Sequence, residues 1–206
     1  MNGGPEVLGT IVPQGGRSAI RLRSDDAGGV VRAAGFVKNG VGGALDVTLR
    51  PVGAAGTFDG NLVIKNLRVR DAPAMAALLD SISVVGLLRQ LDGQGLAFDE
   101  VDAAFRLTPS QVIVTQSSAV GPGLGISLDG IYTLASKQID FQGVVSPFYL
   151  LNGLGSFLTR KGEGLIGFNF NLTGDAKSPN VAVNPLSALT PGMFREIFRR
   201  PPPKVQ

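Results

Sequence analysis

Phe168-Asn169-Phe170-Asn171-Leu172-Thr173, closing on Gly174-Asp175, alternates apolar and polar side chains without a break. Successive side chains of a strand point to opposite faces, so this stretch predicts a strand with one apolar and one wet face. The same alternation recurs along the chain. Ile20 and Leu22 alternate with Arg21 and Arg23, Val47 and Leu49 with Asp46, Thr48 and Arg50, and Leu62 and Ile64 with Asn61 and Lys65. Phe105 and Leu107 flank Arg106, Ile139 and Phe141 flank Asp140, and Ile126 and Leu128 follow the turn signal Gly121-Pro122-Gly123. Gln111–Thr115 reads as a short β-branched strand after Pro109-Ser110, and a further short strand falls near Val181, before a turn at Asn184-Pro185. Gly40, Gly42 and Gly43 mark a tight turn. The pattern predicts one mostly-β domain, a curved antiparallel sheet with a one-sided apolar surface and a few short helices capping one end.

The helices stand out against this background. Ser24-Asp25-Asp26-Ala27 opens a weakly helical piece closed by Gly35. The longest helical run is Ala72–Gly93, APAMAALLDSISVVGLLRQLDG, with Asp71 as the expected N-cap and Pro73 in the first turn. Met75, Leu78, Leu79, Ile82 and Val85 share one stripe at helical spacing, and the stripe then changes side. Two short helices result, broken between Ser83 and Gly86 and ending at Gly93. Phe148–Leu158 is a candidate interfacial helix or one packed on the sheet, and Gly192–Phe198 reads as a last helix. The 19 uncharged residues between Asp140 and Arg160 include Pro147, Gln142 and Asn152, which argue against a free transmembrane helix.

Composition narrows the function. Charged residues make up 17% of the 206 and glycines number 29, against roughly 25% charged in ordinary domains, which fits a sheet whose apolar face stays partly open and a glycine-rich β-core equally well. Arg195, Arg199, Arg200 and Lys204 against Glu196 account for the whole net charge of +3. The remainder is balanced and gives no footprint for nucleic acid. The chain has no histidine and no cysteine, which removes imidazole-based triads and the usual zinc and haem ligand sets. The N-terminus has neither the basic nor the apolar region of a signal peptide, and reads as cut from a longer chain.

The motifs carry little chemistry. Gly162-Glu163-Gly164-Leu165-Ile166-Gly167 has the spacing of a dinucleotide fingerprint, but it opens a strand where the fingerprint requires a helix. Asp99, Glu100 and Asp102 cluster at an expected strand entrance, and Asp25 and Asp26 at a helix start; both read as solvated structural charges. No catalytic residue, metal ligand or cofactor site is assigned, and the chain reads as a non-enzyme.

Several stretches in order, DDAGGVVRAAGF (Asp25–Phe36), DAPAMAALLDSISVVGLLRQLDGQGLAFDEV (Asp71–Val101), GPGLGISLDGIY (Gly121–Tyr132), GVVSPFYLLNGLGSFL (Gly143–Leu158) and VNPLSALTPGMFREIF (Val183–Phe198), resemble the C-terminal region of AsmA-like proteins. That family, of the AsmA, TamB and YhdP type, belongs to Gram-negative envelopes. The resemblance implies a C-terminal module, residues 1–198, of a periplasmic protein tethered to the inner membrane by an N-terminal anchor absent here. It also implies a β-rich groove involved in phospholipid transport between membranes and in outer-membrane homeostasis.

With the alternation, this gives a mechanism: a sheet that turns its apolar side chains inward and shields phospholipid acyl chains. The candidate lining residues are Ile20, Leu22, Val47, Leu49, Leu62, Ile64, Phe105, Leu107, Ile126, Leu128, Ile139, Phe141, Phe168 and Phe170. Residues 199–206 read as an extended, basic, proline-rich tail. Phe194, Phe198, Arg199, Arg200 and Lys204 are the candidate contacts to a membrane surface or an envelope protein. The alternative is an envelope scaffold whose sheet is filled by its own helices and whose tail docks a protein partner.

Overall fold

The computed structural model describes residues 4–35, 37–82, 93–147, 161, 166–189 and 199–204. In chain order the elements are β1 (Leu8–Gln14), β2 (Arg17–Ser24), α1 (Ala27–Ala33), β3 (Asn39–Val41), β4 (Ala44–Pro51), β5 (Phe58–Arg70), α2 (Pro73–Ser81), β6 (Leu96–Leu107), β7 (Gln111–Val120), β8 (Leu124–Thr133), β9 (Gln138–Pro147), β10 (Phe168–Asp175) and β11 (Asn180–Asn184). A 3-10 turn, Pro185–Leu189, follows. All strands join one open antiparallel sheet in the order β1-β2-β4-β5-β6-β7-β8-β9-β10-β11, with β3 paired to the far end of β5. The expected mostly-β fold with short helices is therefore what forms.

In an up-and-down meander alternate connections fall at the same end of the sheet. The hairpin turns after β1, β4, β6, β8 and β10 lie at one end, and α1 and α2 belong to connections at the other. Asp26 caps α1, its carboxylate accepting from the Gly29 N–H at 2.9 Å. Gly42 and Gly43, both at positive φ, turn the chain from β3 into β4, so the two strands lie end to end along β5. The N-cap of α2 is Ala72, not Asp71; Asp71 instead takes a positive φ and accepts a hydrogen bond from the Asn39 amide. Helix α2 buries Leu78 and Leu79 with Met75 and Ile82 beside them, and it packs against β11 as well as following β5. One helix thus reaches from a central strand to the last strand, which places it across the end of a curved sheet.

Two irregularities shape the sheet. Between Ala104/Phe105 and their partners the register of β7 shifts by one residue at Thr115, a β-bulge. The bulge lets Val112 and Val114 share a face with Ala119, where strict alternation would separate them. It also explains why the predicted strand stops at Thr115 although β7 runs on to Val120. The second irregularity is Asn66, at φ 57. Below it Leu62 and Ile64 point to the core side; above it Leu67 and Val69 do, against Phe98 and Leu96 on β6. Asp99, Glu100 and Asp102 lie within β6 and not at its entrance. The expected second half of the long helical run, the Phe148–Leu158 helix and the Gly192–Phe198 helix lie outside the described residues.

Candidate functional site

Strand register puts every predicted lining residue on one face. One row crosses ten strands: Ile11, Ile20, Leu49, Gly60, Phe105, Val114, Gly130, Phe141, Leu172 and Val181. Toward the hairpin end, Phe58, Leu107, Val112, Tyr132 and Ile139 form the next row. Toward the helical end come Leu22, Val47, Leu62 and Ala103, continued by Leu128, Gly143, Phe170 and Val183. Ile64, Val101, Ala119, Ile126, Val145 and Phe168 make the row nearest the helices. No charged side chain occurs in these rows. Ser117, one of the few polar groups there, donates its hydroxyl to the Leu128 carbonyl at 2.7 Å.

Exposure changes along the strands. Ile64, Ile126 and Phe170 are buried in the cluster that includes Leu78 and Leu79 of α2. The other predicted lining residues (Ile20, Leu22, Val47, Leu49, Leu62, Phe105, Leu107, Leu128, Ile139, Phe141 and Phe168) are half-buried. The face is thus most deeply buried toward the helical end and partly exposed elsewhere. At the hairpin end a hollow of about 400 Å³ lies between the β1–β2 turn and the β4–β5 loop, lined in part by Ile20, Pro51 and Phe58.

Three phenylalanine rings pack close against cross-strand glycines. A side chain at Gly60 would overlap the Phe105 ring, one at Gly130 would meet Phe141, and one at Gly143 would come within 2.6 Å of Phe170. Each ring fills its neighbour's missing side chain. Sequence reasoning missed the glycines, and also Phe58, Val101, Val112, Val114, Ala119, Tyr132, Val145, Leu172, Val181 and Val183 on the same face. For most of these the signal was present, since they continue the alternation of residues already chosen.

The opposite face carries the charges of the strands. Arg21 donates to Asp46 and Arg106 to Asp59 at 2.8 Å, while Lys161 meets both Glu100 and Asp102. The Arg21 guanidinium holds the Asp46 carboxyl below the usual range, chiefly by hydrogen bonding. A hollow of about 480 Å³ lies on this face over β2, β4 and β5.

The start of the expected solvated tail is tied to the sheet. Arg199 forms an ion pair with Asp129 in which the two side chains are 4% and 2% exposed. The Arg200 backbone N–H donates to Gln142 Oε1 at 2.8 Å, Gln142 Nε2 donates back to the Arg200 carbonyl, and the Arg200 guanidinium makes two bonds to Asp140. Both cations, expected among the tail's outward contacts, are engaged on β8 and β9. Lys204 is exposed, and Phe194 and Phe198 lie outside the described residues. Among the described residues no helix is long and apolar enough to cross a membrane. No family model, curated protein or solved structure matches this chain.

Proposed function

We propose that this chain is a non-catalytic lipid-binding module that holds phospholipid acyl chains along the apolar face of its sheet. The observation that carries the reading is a continuous uncharged face, ten strands wide in one row and left half-exposed at the hairpin end. Burying a methylene contributes about 0.8 kcal/mol, so a chain of a dozen methylenes is held firmly. No directional bond fixes its position, and it can slide. Phe105 and Phe141, packed against cross-strand glycines and only half-buried, offer apolar surface along that path. The resemblance to AsmA-like proteins supports placing the module in a periplasmic protein tethered to the inner membrane and acting in phospholipid transport.

The scaffold reading keeps one observation in its favour: at the helical end the same face is already filled, with Ile64, Ile126 and Phe170 buried in one cluster with Leu78 and Leu79. Native mass spectrometry on protein purified without detergent separates the two. The lipid reading expects co-purified phospholipid, and displacement of a fluorescent fatty-acid probe by added phospholipid. A bare protein mass together with no probe binding would overturn it.

A further inference from the structure

Charges on the outer face are unevenly answered. On β6, β8 and β9, Glu100, Asp102, Asp129 and Asp140 are all met by cations from elsewhere in the chain, namely Lys161, Arg199 and Arg200. On β2, β4 and β5 the excess is reversed: Arg17, Arg21, Arg23, Arg50 and Lys65 stand against Asp46 and Asp59. Asp46 is occupied by Arg21 and Asp59 by Arg106. Arg23 and Lys65 make no ion pair or side-chain hydrogen bond among the described residues, although Arg23 stands opposite Asp46 and Lys65 opposite Glu100 in the register, and both line the 480 Å³ hollow with Asp25, Asp46, Thr48 and Asn61.

A second observation falls on the same face. Register sets Leu8 of β1 directly opposite Arg23 and Val12 opposite Ala19. Leu8 is 60% exposed and Val12 52%. Exposed aliphatic side chains on an edge strand are ordinarily suppressed by charge, and β1 carries no charge. Aliphatic groups beside an excess of cations suit one partner chemistry. The acyl–headgroup boundary of a bilayer takes the former, and anionic headgroup phosphates attract the latter. Nucleic acid is disfavoured because this face holds no aromatic side chain for bases to stack on.

We propose that the outer face of β1, β2, β4 and β5 docks on an anionic lipid surface, with Leu8 and Val12 entering the headgroup boundary and Arg23 and Lys65 meeting phosphates. The proposal deepens the lipid reading by assigning the membrane contact to a surface on the opposite side of the sheet from the acyl-binding face. The test is co-sedimentation of the full chain with vesicles of phosphatidylcholine alone or mixed with phosphatidylglycerol, at low and raised salt. Binding is expected only with phosphatidylglycerol, weakened by salt, and at least about tenfold weaker in R23E/K65E. R23Q/K65Q should fall in the same direction, which covers the case where charge reversal disturbs folding. Both variants should still bind the fatty-acid probe, so loss of docking and loss of acyl binding are separate results. Equal binding to both vesicle types, no binding, or unchanged binding by both variants would overturn the proposal, as would vesicle-independent binding to a polyanion such as heparin.

Discussion

At the scale of the residue, Gly60 and Phe105 show how much of the apolar face rests on small choices. The Phe105 ring occupies the space where a Gly60 side chain would stand. Gly60→Ala must therefore push the ring aside, an overpacking change that costs about 1–3 kcal/mol. Phe105→Leu in the same chain should recover part of that loss, and a double-mutant cycle by urea denaturation measures the coupling. A neutral Gly60→Ala would show that the ring is not held there. Phe105 was legible as an inward residue because Arg106 follows it, but Gly60 was not, since a missing side chain leaves no mark in an alternation. Asn66 was illegible for another reason. Its left-handed backbone reverses which parity faces the core, and Lys65-Asn66-Leu67 gives no warning of that.

Elements were legible where their cause is local. The cap of α1, the glycine turn into β4 and the alternating strands all depend on neighbours within a few residues, and these appear as expected. The C-terminal latch depends on partners 58 to 70 residues away, so a basic tail and distant carboxylates gave no sign of one another. The latch should carry a pH signature. Arg200 holds the Asp140 carboxyl below its ordinary value of 3.8, mainly through the hydrogen bonds between them. A depressed folded-state value means the stabilisation is complete above the unfolded-state value, about 3.9, and fades as pH falls through the lower folded one. Both side chains are more than half exposed, so the effect is small. Thermal melts of wild type and Arg200→Gln should differ by a constant amount from neutral pH down to about pH 5, and converge in stronger acid. A difference that persists in strong acid would assign the contribution of Arg200 to something other than Asp140.

For the whole molecule, the sequence shows that one face is apolar but not which part of that face stays open. Openness depends on where α2 lands, and the helix reaches β11 only because the sheet curves, a property of all its strands together. The two ends of the face should consequently answer the same insult differently. Ile64, 3% exposed and in one core cluster with Leu78 and Leu79, sits in a true interior, and Ile64→Asp places an uncompensated carboxylate there. Such a burial costs several kcal/mol even after relaxation, enough to unfold a domain of ordinary stability. Leu49 lies on the same face toward the hairpin end, where a carboxylate can still reach water. Leu49→Asp should remain folded, with a loss of only about 1–2 kcal/mol, while its affinity for the fatty-acid probe falls steeply, because a charge now interrupts the row that acyl chains would cover. Paired denaturation and probe titrations on the two variants read both quantities. If Leu49→Asp unfolds the protein as readily as Ile64→Asp, the hairpin end is interior as well, and no open trough exists for a hydrocarbon to occupy.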